Sequence, residues 1–461
     1  MELPLYTWKE IQEIKRLAIP EATAASFVQN AVIPSIPVVL RKPVEQELFT
    51  ERDTLEVIRD IFQNPFRDLP HPKIILGDTE LFSEHANDPD FIAERLMELL
   101  PEPDRESAQD YVERIKKKAS CPELFYYMKV RANNNPLLWH KVREVQKHIF
   151  RHMPYPAGGV EIDIFFGDYS KTPTNIHRDG AGFIYVVSGK KTFVVWPYRH
   201  FSGLELVKKD AHLRPAYFLG ESAKFSEHES SGITLEGNRG DIIFWPDDHW
   251  HIGKGDGSTA ITFCMSFFFN APVLPDLFPS LQEIGESDPA RYVPRSLAPP
   301  TGIQWGDSGP NSLVSSLDHW WNEASILHSR LKDSYTLLQI ERASGAGFNQ
   351  PFFPTQIDRS AVRNLKVKCD PEYPILLLVR GQTVYVAANG VSRELPEGAG
   401  SVIRFVDWLN RGIPFTPGTA VQEFCKSQTS PLNASQVETL EQCLDFILSM
   451  RAAYLLDENE A

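Results

Sequence analysis

The sequence predicts an α+β protein with an antiparallel β core in the middle of the chain, helices before it and a mixed module after it. Three observations carry this. Between Val160 and Phe269, short apolar segments (Glu161–Phe166, Phe183–Ser188, Thr192–Trp196, Asp241–Trp245, Thr259–Phe269) are separated by Gly, Pro, Asn and Asp, the texture of a small barrel or sandwich. Before them, apolar residues fall at helical spacing under a mixed acidic and basic surface. After them, helices alternate with a small hairpin, as in a compact module of winged-helix type. The implied divisions are 1–159 (an opening strand and a helical region), 160–271 (the β core), 272–310 (a proline-rich linker) and 311–461 (the C-terminal module).

Taken in order, Thr7 to Leu17 reads as an amphipathic helix, with Ile11, Ile14 and Leu17 on one face. Ala31 to Arg41 reads as a buried strand entered through prolines. Glu51 to Cys121 reads as mostly helical, and Leu137 to His152 as a helix carrying His140, His148 and His152. No acidic partner follows those three at ligand spacing, which predicts a solvated or capping face. Leu204 to Arg239 is a long insertion between the halves of the β core. The prolines from Pro272 to Pro310 predict an extended linker lying on the core. Asn311 to Tyr335 reads as a helix. Ile375 to Val379 and Thr383 to Ala387 read as strands around Arg380-Gly-Gln382, with Ala388-Asn389-Gly390 as a second tight turn. Ser401 to Asn410 and Ser435 to Leu455 are expected helices, the latter opened by a Ser435…Glu438 capping box.

Composition narrows the function classes. The 461 residues, 42% hydrophobic and 23% charged, can bury a large core. A net charge of -14 argues against nonspecific nucleic-acid binding, which runs on basic patches. Five scattered cysteines without a CxxC pair fit reduced thiols, and hence a cytoplasmic protein. No signal segment and no membrane-spanning run is expected.

The chemistry concentrates in two stretches. Thr172-Pro-Thr-Asn-Ile-His177-Arg-Asp179-Gly180 follows the Val160–Phe166 run and offers an imidazole and a carboxylate two positions apart. An extended strand points such a pair the same way. About seventy residues later, Gly240 to His251 (Gly-Asp-Ile-Ile-Phe-Trp-Pro-Asp-Asp-His-Trp-His) ends an apolar strand at a proline turn that aims a histidine back at the core. Two histidines and one carboxylate on one face of a metal form the facial triad of non-haem Fe(II) oxygenases. His249 competes with His251 for the third place, and spacing from Pro246 favours His251. Gly189-Lys190-Lys191-Thr-Phe-Val-Val-Trp196-Pro197 sets a lysine on an apolar strand, where burial is costly unless it meets an anion. Lys191 is preferred over Lys190 from its spacing to Gly189 and Pro197. Thr174 can add a hydroxyl donor. Tyr185 and Trp196 are candidate pocket walls, though aromatics at such positions more often pack a core.

These residues resemble the JmjC and cupin-like branch of Fe(II)/2-oxoglutarate oxygenases over Val160 to Phe269, and Ile36–Arg41 resembles the strand that opens that domain. The resemblance implies a double-stranded β-helix (jelly-roll, cupin-like) core with Fe(II) and the co-substrate 2-oxoglutarate. It implies His177, Asp179 and His251 as iron ligands, Lys191 as the cation for the distal carboxylate of 2-oxoglutarate with Thr174 assisting, and Ser266 near the co-substrate. Asp248 departs from the glycine many cupins carry in this turn. Asp179 argues against a halogenase, where the carboxylate is typically lost. The C-terminal module resembles that of the ribosomal oxygenases, which implies hydroxylation of a C–H bond on a protein or peptide side chain. The alternatives are a small-molecule oxygenase of a biosynthetic pathway, with the C-terminal module making a homodimer, and an inactive JmjC-like binding protein. No zinc motif or reader domain accompanies the core, which disfavours histone demethylation.

Overall fold

The computed structural model describes residues 5–63, 72–77, 79–82, 88–130, 136–153, 155–156, 159–173, 175–202, 204, 206–211, 214–220, 224–247, 249–269, 336–348, 362–380, 383–395 and 399–456. The proline-rich 272–310 stretch, the expected helix from Asn311 to Tyr335, Thr174 and Asp248 lie outside them.

Helices and antiparallel sheets make up the described chain. One sheet runs β1 (Val38–Leu40), β12 (Ile242–Trp245), β7 (Ala181–Ser188), β14 (Ala260–Phe267), β5 (Val160–Asp168), β4 (Leu124–Val130), β2 (Lys73–Leu76) and β3 (Thr79–Glu80). The second runs β11 (Ile233–Asn238), β8 (Lys190–Trp196), β13 (Trp250–Lys254), β6 (His177–Arg178), β10 (Arg214–Leu219) and β9 (Leu206–Ala211). They meet through one apolar cluster, with Ile184, Val186 and Ile243 from the first and Phe193, Val195 and Leu235 from the second.

Strand β7 shows why its sequence is apolar without a break. Ile184 and Val186 face the second sheet, whereas Phe183, Tyr185 and Val187 face the main core that the N-terminal helices complete. There Phe27 packs on Phe244 at 4.9 Å and Phe49 on Phe263 at 4.2 Å. A strand covered on both faces loses the polar alternation of a half-exposed one.

Several sequence expectations change. Thr7 caps the first helix, Trp8–Lys15, in a capping box with Glu10, so that helix is shorter than expected. Ala31 is not in a strand: Glu21–Phe27 is helical and continues as a π-turn over Val28–Val32, and only Val38–Leu40 pairs with β12. Helices Glu51–Gln63, Pro89–Glu98 and Ala108–Ala119 form as read, but β2 and β3 lie between them and β4 follows, adding strands to the core. The 204–239 insertion contributes β9, β10 and β11 to the second sheet. His140 is fully buried against the rings of Tyr6 and Trp139, not solvated. His148 Nδ1 donates to the Ile19 carbonyl, and His152 sits against Glu21.

Near the C-terminus, β16 (Leu376–Arg380), β17 (Thr383–Ala388) and β18 (Val391–Leu395) form an antiparallel meander. Asn389 and Gly390 turn it at φ of 47° and 88°, the left-handed pair of a tight hairpin. Helices Ala399–Asn410, Ala420–Ser427 and Ala434–Ser449 follow. The last helix is capped by Asn433 with Gln436, not by Ser435 with Glu438, and it ends at Ser449. Arg451, at φ 53°, turns the chain into β19 (Ala453–Leu455), which pairs with β15 (Val367–Cys369). All five cysteines are free thiols. Among the described residues no helix is long and apolar enough to cross a membrane.

Candidate metal centre

Strand β6 is two residues long, yet it fixes the site. His177 pairs in register with Phe218 of β10 on one side and with His251 of β13 on the other. Two histidines far apart in sequence therefore stand side by side, with ring centroids 4.2 Å apart. Asp179 leaves the strand end so that its oxygens lie 3.8 Å from His177 Nε2 and 3.7 Å from His251 Nε2. One ligand atom from each of the three falls within 4.8 Å of the others.

Hydrogen bonds aim both rings. His177 Nδ1 donates to the Asn175 carbonyl at 2.8 Å, and His251 Nδ1 faces the His249 carbonyl at 3.4 Å. With the proton on Nδ1, each Nε2 presents its lone pair to the centre. Burial, reinforced by His177, pushes the His251 imidazole down to about 3, so it is neutral at ordinary pH. Phe218 stacks on His177 at 5.5 Å, and the Trp245 indole lies 4.6 Å from His251. His249 precedes β13, where alternation does not yet apply. Its N–H closes the turn onto the Pro246 carbonyl, and its buried ring lies outside the cluster.

The two lysines of β8 separate by strand alternation. Lys190 forms a surface ion pair with Glu236 at 2.7 Å, whereas Lys191 is 1% exposed. Lys191 Nζ donates to the Tyr169 hydroxyl at 2.6 Å, and among the described residues no carboxylate pairs with it. Burial alone pushes its ammonium down to about 7. Thr172, Phe193 and Gly253 surround this end; a Cβ on Gly253 would stand 3.2 Å from Nζ and 2.9 Å from the Thr172 methyl, so glycine keeps the space open.

A cavity of about 210 Å³ is lined by the triad and by Thr172, Phe193 and Gly253, the neighbours of Lys191, while Lys191 and Tyr169 themselves lie behind its wall. Thr172 and Gly253 border it near Lys191, the triad borders it centrally, and Tyr127 and Lys73 border it towards β4 and β2. Ser266 also lines it, with its hydroxyl 3.3 Å from Cys264 Sγ. Tyr185 and Trp196 do not. Tyr185 points to the helical side, where its hydroxyl accepts from Leu48 N–H, and Trp196 donates to the His228 carbonyl from the outer face of the second sheet.

Sequence reasoning missed Tyr169, Thr172, Trp245 and Asp163. The only sequence signal for Trp245 was its place next to Pro246. Asp163 sits mid-strand in β5, 4% exposed, with its carboxyl raised to about 7 by burial against the opposing pull of Lys129.

No protein-family model matches the sequence, and no curated protein matches it. Solved structures similar to it include the X-ray structure of E. coli ycfD, at 13% identity and a TM-score of 0.49 over 99% of this chain and 100% of that one. Another is the structure of YcfD, a ribosomal oxygenase from Escherichia coli, in complex with cobalt and 2-oxoglutarate, at 13% identity and a TM-score of 0.44 over 91% and 94%. Likeness at these scores carries no functional weight.

Proposed function

We propose that this protein is an Fe(II)- and 2-oxoglutarate-dependent dioxygenase that hydroxylates a C–H bond of a protein or peptide side chain. The observation that carries the reading is the convergence of His177, Asp179 and His251 on one point. The donor set fits the metal: two imidazoles and one carboxylate suit a divalent iron and leave coordination positions open. We read the two facing sheets as a double-stranded β-helix, 160–271 as its catalytic part, and the C-terminal meander and helices as a winged-helix-like module.

When bound, Fe(II) and 2-oxoglutarate supply dioxygen activation coupled to decarboxylation to succinate. The chain does the rest. His177, Asp179 and His251 hold the ion, with Asn175 and His249 carbonyls fixing the imidazole tautomers. Lys191 binds the distal carboxylate of 2-oxoglutarate by a charge-assisted hydrogen bond, and Tyr169 holds its Nζ in place. A buried cation without a carboxylate is costly, and an arriving dianion relieves that cost. Phe193, Phe218 and Trp245 keep water from the reacting centre. Thr174 and Ser266 are proposed to assist at the co-substrate. The cavity reaches Lys73, which is a third exposed, so a side chain can enter from the β2–β4 side while its backbone stays outside.

The test uses no substrate. Anaerobic protein mixed with Fe(II) and 2-oxoglutarate is expected to show the visible metal-to-ligand charge-transfer band, abolished by His251→Ala and retained by His249→Ala. Metal binding without the band points to other chemistry, and no binding removes the reading.

A further inference from the structure

Strand β6 leads into two of the three ligands, yet its ladder is short. It has two register pairs with β10 and one with β13. Side chains alternate along it: Ile176 is buried in the outer apolar cluster of the second sheet, and His177 lines the cavity. Arg178 returns to the outer face beside Trp250, and Asp179 lines the cavity again. A slip of one residue would turn both ligands outwards and drive Ile176 and Arg178 into the cavity.

Upstream the strand is tied: Leu219 N–H donates to the Ile176 carbonyl, and Asn175 Nδ2 donates to the Leu219 carbonyl. Downstream the chain crosses directly to β7 of the other sheet. Arg178 is the last residue of β6 before that crossing. Its guanidinium lies 4.4 Å from the Tyr198 ring, 4.8 Å from Tyr217 and 5.6 Å from Trp250. Tyr217 is its register partner on β10, and the register that pairs His177 with His251 brings Trp250 opposite it on β13. Tyr198 follows β8, and its carbonyl accepts from the Trp250 indole at 3.0 Å. One cation therefore joins β6 to β10, to β13 and to the segment after β8. Its Nε is buried without a hydrogen-bond partner, as suits a guanidinium held by ring faces.

We infer that Arg178 is a positioning residue of the metal centre: stacked among Tyr198, Tyr217 and Trp250, it locks the register of β6 and so aims His177 and Asp179 at the ion. It does so against its own charge, because a cation next to two ligands in the chain repels a metal ion. Removing the side chain therefore has two effects of opposite sign, loss of register and relief of repulsion. The link to the ion rests on the metal-centre reading; the hold on β6 does not.

Full-length parent, Arg178→Met, Arg178→Lys and Val194→Ala are titrated with Co(II) alone, at a temperature where circular dichroism reports each one folded. Arg178→Met is expected to bind about ten- to a hundredfold more weakly, the range for residues that orient metal ligands, and Arg178→Lys to recover part of the loss. Val194→Ala removes packing from the same outer cluster but keeps the cation and its rings, so its Co(II) affinity should match the parent's. Amide exchange on the metal-free proteins reads the strand itself. One lost cation–π contact is worth about two- to thirtyfold in a local opening, so exchange over 176–179 and 214–219 should speed by that much in Arg178→Met. Relief of repulsion alone would leave Arg178→Met binding Co(II) as tightly as the parent or more tightly, and that result overturns the inference. Equal weakening in Val194→Ala, no recovery in Arg178→Lys, or unchanged exchange in β6 and β10 overturns it too. If Arg178→Met does not fold, Arg178→Lys binding Co(II) as tightly as the parent does the same. A parent that binds no Co(II) removes the metal-centre reading, and exchange still decides whether Arg178 holds β6.

Discussion

Lys191 sits where a lysine is least at ease, fully buried and hydrogen-bonded to a neutral phenol. Its folded pKa of about 7 lies below the ordinary lysine value near ~10.4, so between those pH values the unfolded chain binds more protons than the folded one. Stability contributed at this position therefore rises with pH from about 7 upwards, on the order of 1.4 kcal/mol per pH unit as an upper bound. Thermal unfolding of Lys191→Met and the parent, both free of 2-oxoglutarate, should show the parent gaining on the variant as pH goes from neutral to alkaline. A parallel pH dependence would mean that the buried ammonium keeps its ordinary affinity for the proton. In turnover, Lys191→Ala should raise the 2-oxoglutarate KM with little change in kcat, and an unaltered KM would move the anion site elsewhere.

Among the elements, the helix that begins at Ala434 and the glycine of β7 give separable predictions. Asn433→Ala should cost about 1 kcal/mol by removing the cap on Gln436 N–H, while Ser435→Ala should be close to neutral in chemical denaturation. Gly182→Ala forces a methyl into the Trp245 indole and should destabilise by about 1–3 kcal/mol, weakening the charge-transfer band as the ring presses on His251. The capping box was misread by two residues because both Asn433 and Ser435 suit an N-cap, and sequence alone does not say where the chain first turns helical. The cluster of His177, Asp179 and His251 was legible because each of the three lies in a local motif. Trp245, Asp163 and Tyr169 were not, because only the pairing of strands distant in sequence brings them beside His251, the triad's cavity and Lys191. β11 was hidden for a different reason: in Ile233–Asn238 only Leu235 and Gly237 are buried, so it carries too little apolar signal to stand out of a polar insertion.

At the scale of the whole molecule, two sets of residues tie distant parts of the chain together. Arg143, on helix Pro136–Lys147, is 1% exposed, lies 3.5 Å over the Tyr373 ring and hydrogen-bonds Asn389 and Tyr454, so one side chain joins the N-terminal helices to three C-terminal segments. Arg143→Met should lower stability by about 2–4 kcal/mol and split a single calorimetric transition into two. The triad ties on a different axis. His177 and His251 belong to the second sheet, and Asp179 precedes the turn into β7 of the first, so a bound ion fixes that turn against β6 and β13. An ion that binds only the folded chain stabilises it by about 2.7 kcal/mol at a hundredfold excess over its Kd. Zn(II), or Fe(II) under anaerobic conditions, should therefore raise the unfolding temperature of the parent protein, and a chelator should reverse it. His177→Ala should show no rise, whereas Arg143→Met, which leaves the site alone, should keep it. A metal-induced shift that survives His177→Ala would place the ion elsewhere.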